Sequence, residues 1–202
     1  MPRLPEFNRE EVLDSALSLF WSDGYEASSI NRLLDVMHLN RGSFYSAFGS
    51  KSALFSTVLD HYMAYLQCHL FSCTLAGVED PCDAITAFFE KAFFEPEQRQ
   101  LANGCLFFNA ISEMSNNKPE LAGQARESVR WIRQLFYSRL LEAKQLGMID
   151  PKQDIEGLAD YLIALLSGLR TLCKSGANAE VLRRVIDAGM SAVFTRPPIK
   201  KY

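Results

Sequence analysis

The run Leu39-Asn-Arg-Gly-Ser-Phe-Tyr-Ser-Ala-Phe48 decides the reading of this chain. Phe44 and Phe48 lie one helical turn apart and can share an inward face, with Leu39 anchoring the approach. Arg41 and Tyr45 have the same spacing, about 100° further round the helix, and so project outward. An outward arginine can fork onto guanine O6 and N7 or grip a phosphate. An outward tyrosine offers a hydroxyl to a phosphate or a ring edge to a thymine methyl. Gly42 costs about 1 kcal/mol against alanine inside a helix. That cost makes sense if the backbone must come close to a duplex there.

Upstream of this run the pattern stays helical. Val12, Leu13, Ala16, Leu17 and Phe20 recur at helical spacing, Asn8 with Glu11 forms a capping-box-like start, and Gly24 ends the segment. A second short helix fits residues 29–37, with Ser28 as N-cap and Ile30, Leu33 and Leu34 facing inward. Asn40 caps the third, and Gly49-Ser50 breaks it. Three short helices, the last two joined by a tight turn, match a helix-turn-helix.

The wider text sharpens this. Gly24-Tyr-Glu-Ala-Ser-Ser-Ile30, the run 39–48, and Gly49-Ser-Lys-Ser-Ala-Leu-Phe55 together resemble the DNA-binding signature of the TetR family of transcriptional regulators. The resemblance covers roughly residues 8–60 without a gap. It implies that the helix from Arg41 is a recognition helix, that Lys51 meets the phosphate backbone, and that Ser28 presents a helix N-terminus to a phosphate. The expected DNA-contacting set is Ser28, Asn40, Arg41, Gly42, Ser43, Tyr45 and Lys51. Two positions depart from the family text: His38 stands where glycine is usual in the turn, and Leu34 where alanine is usual. Histidine adopts the left-handed conformation more readily than most residues, so the turn survives.

Downstream, Ser50 caps a fourth helix running from Lys51 towards Leu70, with no flexible linker near residue 50. Further helices are expected at 83–94, 105–115, 119–146, 155–174 and 180–195, separated by Pro96, Asn116-Asn117, Gly147 with Pro151, and Gly176. Strand-like alternation, internal repeats and low-complexity tracts are absent from the sequence, and Pro197-Pro198 begins a tail expected to fray. The fold class is therefore all-α, with a helix-turn-helix domain over 1–50 and a larger helical domain over 51–202.

The larger domain is rich in aromatic residues, with Phe88, Phe89, Phe93, Phe94, Phe107, Phe108, Trp131, Phe136, Tyr137 and Tyr161. Each alone reads as core. As a set they exceed what a bundle of this size needs, and bundles host ligands between their helices. The resemblance implies an effector pocket here, for which Phe89, Phe93, Cys105, Phe108, Trp131 and Tyr161 are the expected lining and an apolar or aromatic small molecule the expected ligand. Cys105, beside the aromatic cluster, has two readings, an inert buried thiol or a redox or electrophile sensor; the first is favoured because no adjacent basic residue would activate it. Helices 155–174 and 180–195 are apolar over wide faces, led by Leu162, Leu166, Leu169, Ile186 and Gly189. The resemblance implies that these two helices form a homodimer interface.

Bulk properties are those of an ordinary globular chain, 48 % hydrophobic and 22 % charged in 202 residues. The net charge of −3 gives no whole-protein attraction to nucleic acid, and residues 1–51 hold five Lys/Arg against seven Asp/Glu. The most apolar stretch, residues 161–169, is too short to span a bilayer, which needs about 20 residues, and the N-terminus lacks a secretory core. The cytoplasm is the expected location, with five reduced cysteines.

Rival chemistries fare poorly. Cys68, His69, Cys73 and Cys82 fit no common zinc spacing, and the adjacent pair points apart on a helix. Gly49-Ser-Lys51-Ser52 lacks the glycine directly before lysine that a phosphate loop needs. The three histidines suggest no triad with an acid and a nucleophile. No metal or cofactor is expected. A Cys105-dependent helical enzyme and a non-DNA-binding interaction bundle are the alternatives.

Overall fold

The computed structural model describes residues 7–95 and 101–194, and among them every regular element is helical. The helices are α1 (Arg9–Asp23), α2 (Ile30–Met37), α3 (Arg41–Phe48), α4 (Lys51–Leu66), α5 (Pro81–Phe94), α6 (Leu106–Met114), α7 (Pro119–Gln145), α8 (Ile155–Lys174) and α9 (Ala179–Val193). The breaker at Pro96, the helix end at Thr195 and the tail at Pro197-Pro198 lie outside the described residues. Polar caps set the starts: the side chains of Asn8, Asp80, Asp154 and Asn178 accept first-turn N–H groups of α1, α5, α8 and α9.

The fourth helix does not stay α-helical to Leu70. After Leu66 it widens into a π-helical turn, Gln67–Phe71, closed by the Ser72 N–H donating to the Gln67 carbonyl at 3.1 Å. The extra residue per turn lets both Leu70 and Phe71 face inward, 7 % and 3 % exposed. Phe71 then stacks on Phe88 at 5.9 Å.

The chain packs as two compact units that are not the two sequence segments 1–50 and 51–202. The first combines Met1–Ala64 with Cys105–Glu127; the second combines Tyr65–Gly104 with Ser128–Tyr202. The first unit therefore contains the three N-terminal helices together with most of α4, all of α6 and the start of α7. Its core is aromatic: Phe20 meets Phe55 edge-on at 4.9 Å, and Tyr62 of α4 meets Phe107 of α6 at 5.1 Å. Polar ties add to this core. His61 Nε2 lies 2.7 Å from Asp14 Oδ1, Ser56 donates to Gln124 Oε1 at 2.8 Å, and Gln124 Nε2 donates to Asp60 at 2.8 Å.

The second unit is built round Phe88, Phe89 and Phe136, with Phe136 edge-on to Phe88 at 5.0 Å and stacked on Phe89 at 5.9 Å. Arg133 of α7 pairs with Glu156 and Asp160 of α8. Arg183 of α9 pairs with Glu90 of α5 and covers the Phe94 ring at 3.9 Å.

Leu162, Leu166, Leu169 and Ile186 were expected between two copies of the chain. They are instead buried inside this unit, none more than 5 % exposed. Gly189 is buried with them: a Cβ there would stand 2.5 Å from Leu165 Cδ2, so the glycine serves the close approach of α9 to α8. Apolar periodicity located the buried face correctly, but its partner is the same chain. The residues the helix pair leaves outward include Tyr161, Ala164 and Gly168 on α8 and Ala188 and Ala192 on α9, alongside polar and charged ones such as Asp160, Thr171, Arg184, Asp187 and Ser191. No helix of the described residues is long and apolar enough to cross a membrane.

Candidate nucleic-acid interface

The reading head is assembled by caps and one left-handed residue. Ser29, not Ser28, caps α2: its backbone is extended (φ −67°, ψ 156°) and its Oγ accepts the Arg32 N–H at 3.3 Å. Ser28 points inward, fully buried, and donates to the Gly24 carbonyl at 2.6 Å. It cannot present a helix end to a phosphate; the side chain at the start of α2 is that of Ser29. The two adjacent serines look alike in the sequence; only the direction of the chain entering the helix separates them.

His38 ends α2 in the left-handed conformation (φ 51°, ψ 40°), and the Leu39 N–H closes the turn on the Leu34 carbonyl at 3.0 Å. Asn40 then caps α3, accepting the Ser43 N–H at 2.8 Å. Phe44 is fully buried and Phe48 nearly so, while Arg41, Gly42 and Tyr45 face solvent on the opposite side. Ser43 is half-buried, its N–H already engaged by the cap. Gly42 has a local reason as well: a Cβ there would approach the capping Asn40 Oδ1 to 3.3 Å. Sequence reasoning missed Asn31 of α2, whose Oδ1 accepts from Arg41 Nη2 at 2.7 Å. Nothing in the sequence pairs residues ten apart on different helices.

Lys51, at the first position of α4, is half-buried. Its Nζ lies 4.3 Å from the centroid of the Tyr25 ring and donates to the Glu26 carbonyl at 3.4 Å. Burial pushes its ammonium below the usual lysine range; Glu26 and Glu113 oppose that fall, and Lys118 adds to it. The cation is thus held at one place beside the start of α2. Tyr25 is tied down in turn, its hydroxyl 2.8 Å from Ser52 Oγ.

Residues 12–58 match the family model of bacterial regulatory proteins of the tetR family, and residues 81–189 match that of the tetracyclin repressor-like C-terminal domain. The chain belongs to the TetR family. The repressor BdcR of Escherichia coli (strain K12) is 40 % identical over 177 residues, covering 87 % of this chain and 84 % of BdcR. The repressor ComR of the same organism is 27 % identical, covering 89 % of this chain and 85 % of ComR. Among solved structures, a cysteine-substituted TetR-family regulator, CifR, in complex with 26 base pairs of operator DNA has the same fold. Its TM-score is 0.84 at 24 % identity, covering 95 % of this chain and 98 % of that one. As a TetR-family member with this helix-turn-helix, the chain is a DNA-binding transcriptional regulator.

The residues expected to hold an effector are divided between the two units. Cys105, 7 % exposed at the N-cap of α6, and the half-buried Phe108 belong to the first. The other four belong to the second. Phe89 and Phe93 are sealed in its core, whereas Trp131 and Tyr161 are 39 % and 38 % exposed, Trp131 leaning on Phe71 at 5.3 Å. The first unit has an open cleft of about 490 Å³ lined by Ser52, Ser56, Asn117, Lys118, Leu121 and Gln124 among others, and none of the six expected residues lines it.

Proposed function

We propose that this TetR-family regulator is a repressor that binds a near-palindromic operator as a homodimer. Each recognition helix, α3, would enter a major groove with Arg41 on a base and Tyr45 on the backbone. Asn40, Gly42 and Ser43 would lie close to the duplex, and Ser29 and Lys51 would meet phosphates. The observation that carries this reading is the division of α3: Phe44 and Phe48 are spent on the core while Arg41 and Tyr45 are exposed on the opposite side, where a groove would meet them. The names of BdcR and ComR as repressors support the direction of regulation.

The outward stripe of Tyr161, Ala164 and Gly168 with Ala188 and Ala192 supports dimerisation. Its small residues allow a close approach of α8 and α9 to their symmetry mates. Release by a small apolar or aromatic effector, acting in the cytoplasm, completes the proposal. Such a ligand works only through its different affinity for the two states, so operator DNA must weaken effector binding by the same factor. Selection from random DNA followed by footprinting tests the reading. Two symmetric half-sites about 34–36 Å apart are expected. Protection of one asymmetric half-site by a monomer would refute it.

A further inference from the structure

We propose that Glu113 is a positioning residue for DNA recognition: from α6 its carboxylate grips the loop that launches α2 and so fixes the pose of the helix-turn-helix. The proposal rests on the DNA-binding reading above and assigns that reading a residue outside the helix-turn-helix.

The two carboxylate oxygens take one backbone N–H each. Oε2 accepts from Tyr25 at 3.0 Å, and Oε1 accepts from Glu26 at 2.8 Å. Charged acceptors of backbone N–H groups make short, strong bonds, and two on one carboxylate fix direction as well as distance. The loop is shaped for the grip. Gly24 has φ +86°, and a Cβ there would sit 3.0 Å from the same Oε2. Backbone conformation and carboxylate access thus both require glycine at this position.

The gripped dipeptide is also held from other sides. Tyr25 is 4 % exposed and its ring stacks on Phe20 at 6.1 Å. Its face carries Lys51, and Lys51 also takes the Glu26 carbonyl. Glu113 is close enough to Lys51 to counter the fall in its pKa. The carboxylate therefore supplies the loop with both its N–H partners and part of the negative charge that opposes the fall in the Lys51 pKa. The cap Ser29 and the Arg41 partner Asn31 follow within five residues of Glu26. A loop that drifts carries α2 with it, and the Asn31–Arg41 hydrogen bond moves too.

The test uses the full-length wild type, Glu113→Ala and Glu113→Gln, with the DNA sequence that the wild type selects from a random pool. Glutamine keeps the volume but offers one acceptor oxygen and turns an NH₂ towards the second N–H. Expected are a loss of operator affinity of about tenfold, which is about 1.4 kcal/mol, with an unchanged salt slope because Glu113 touches no phosphate. Amide exchange at Tyr25 and Glu26 quickens while that of α8 does not. A merely structural role lowers the melting temperature and leaves affinity well below the transition unchanged. Binding within about twofold of wild type by a folded variant, or unchanged exchange at both amides, overturns the proposal. If Glu113→Ala does not fold, Glu113→Gln decides. A wild type that selects no DNA refutes the DNA-binding reading instead, and exchange at Tyr25 and Glu26 still reports the grip.

Discussion

Arg41 Nη2 donates to Asn31 Oδ1 at 2.7 Å, so the one arginine of α3 is tied to α2. The tie holds the guanidinium at a defined place on the exposed face before any DNA arrives. Arg41→Ala is expected to cost about 1–3 kcal/mol of operator binding and to relax preference at one base pair. Asn31→Ala is expected to cost less, and the double variant no more than Arg41→Ala alone, since Asn31 acts through the arginine. Full additivity in a double-mutant cycle would show that Asn31 contacts the DNA independently.

Lys51→Ala is expected to weaken binding to all sequences about equally and to flatten the salt dependence by about one unit. The position of Nζ over Tyr25 makes this a fixed charge rather than a roaming one. A changed base preference in selected pools, with an unaltered salt slope, would contradict the assignment.

Gly168 of α8 and Gly189 of α9 should behave oppositely. A Cβ at Gly168 meets nothing within 4 Å, whereas one at Gly189 meets Leu165 at 2.5 Å. Gly168→Arg is therefore expected to leave the subunit folded and dissociate the proposed dimer. Gly189→Ala is expected to lower the melting temperature, and Leu162→Ala to cost about 2–5 kcal/mol through a core cavity. Sedimentation with circular dichroism reads both effects; a Gly168→Arg protein that remains dimeric would move the interface elsewhere.

The pair of Arg133 with Asp160 gives a pH signature. Hydrogen bonding from Arg133 lowers the Asp160 carboxyl below its ordinary 3.8. A depressed folded-state pKa means that the contribution is present above the ordinary value and is lost as pH falls through the lower folded one. Wild type should thus melt above Asp160→Asn near neutral pH, and the gap should close well below pH 3.8. A gap of the same size at both ends would remove the ion pair from the account. Asp160 is exposed and Arg133 partly so, and added salt should therefore also narrow it.

Sequence alone determined the helices and the reading head. The spacing of Phe44 with Phe48 against Arg41 with Tyr45 is a local property of one helix, and side-chain caps such as Asn40 and Ser50 act within three residues. Periodicity also identified the buried faces of α8 and α9. Tertiary structure alone decided who meets whom. It chose Ser29 over Ser28 as cap, turned Leu162 and Ile186 into the chain's own core, and divided the expected effector residues between two units. It brought Glu113 to Tyr25 across 88 residues and Asn31 to Arg41 across ten. The physical reason is that helical pattern and capping are set by neighbours along the chain. A burial pattern says only that a face is covered, and the identity of the cover depends on the path by which distant segments return.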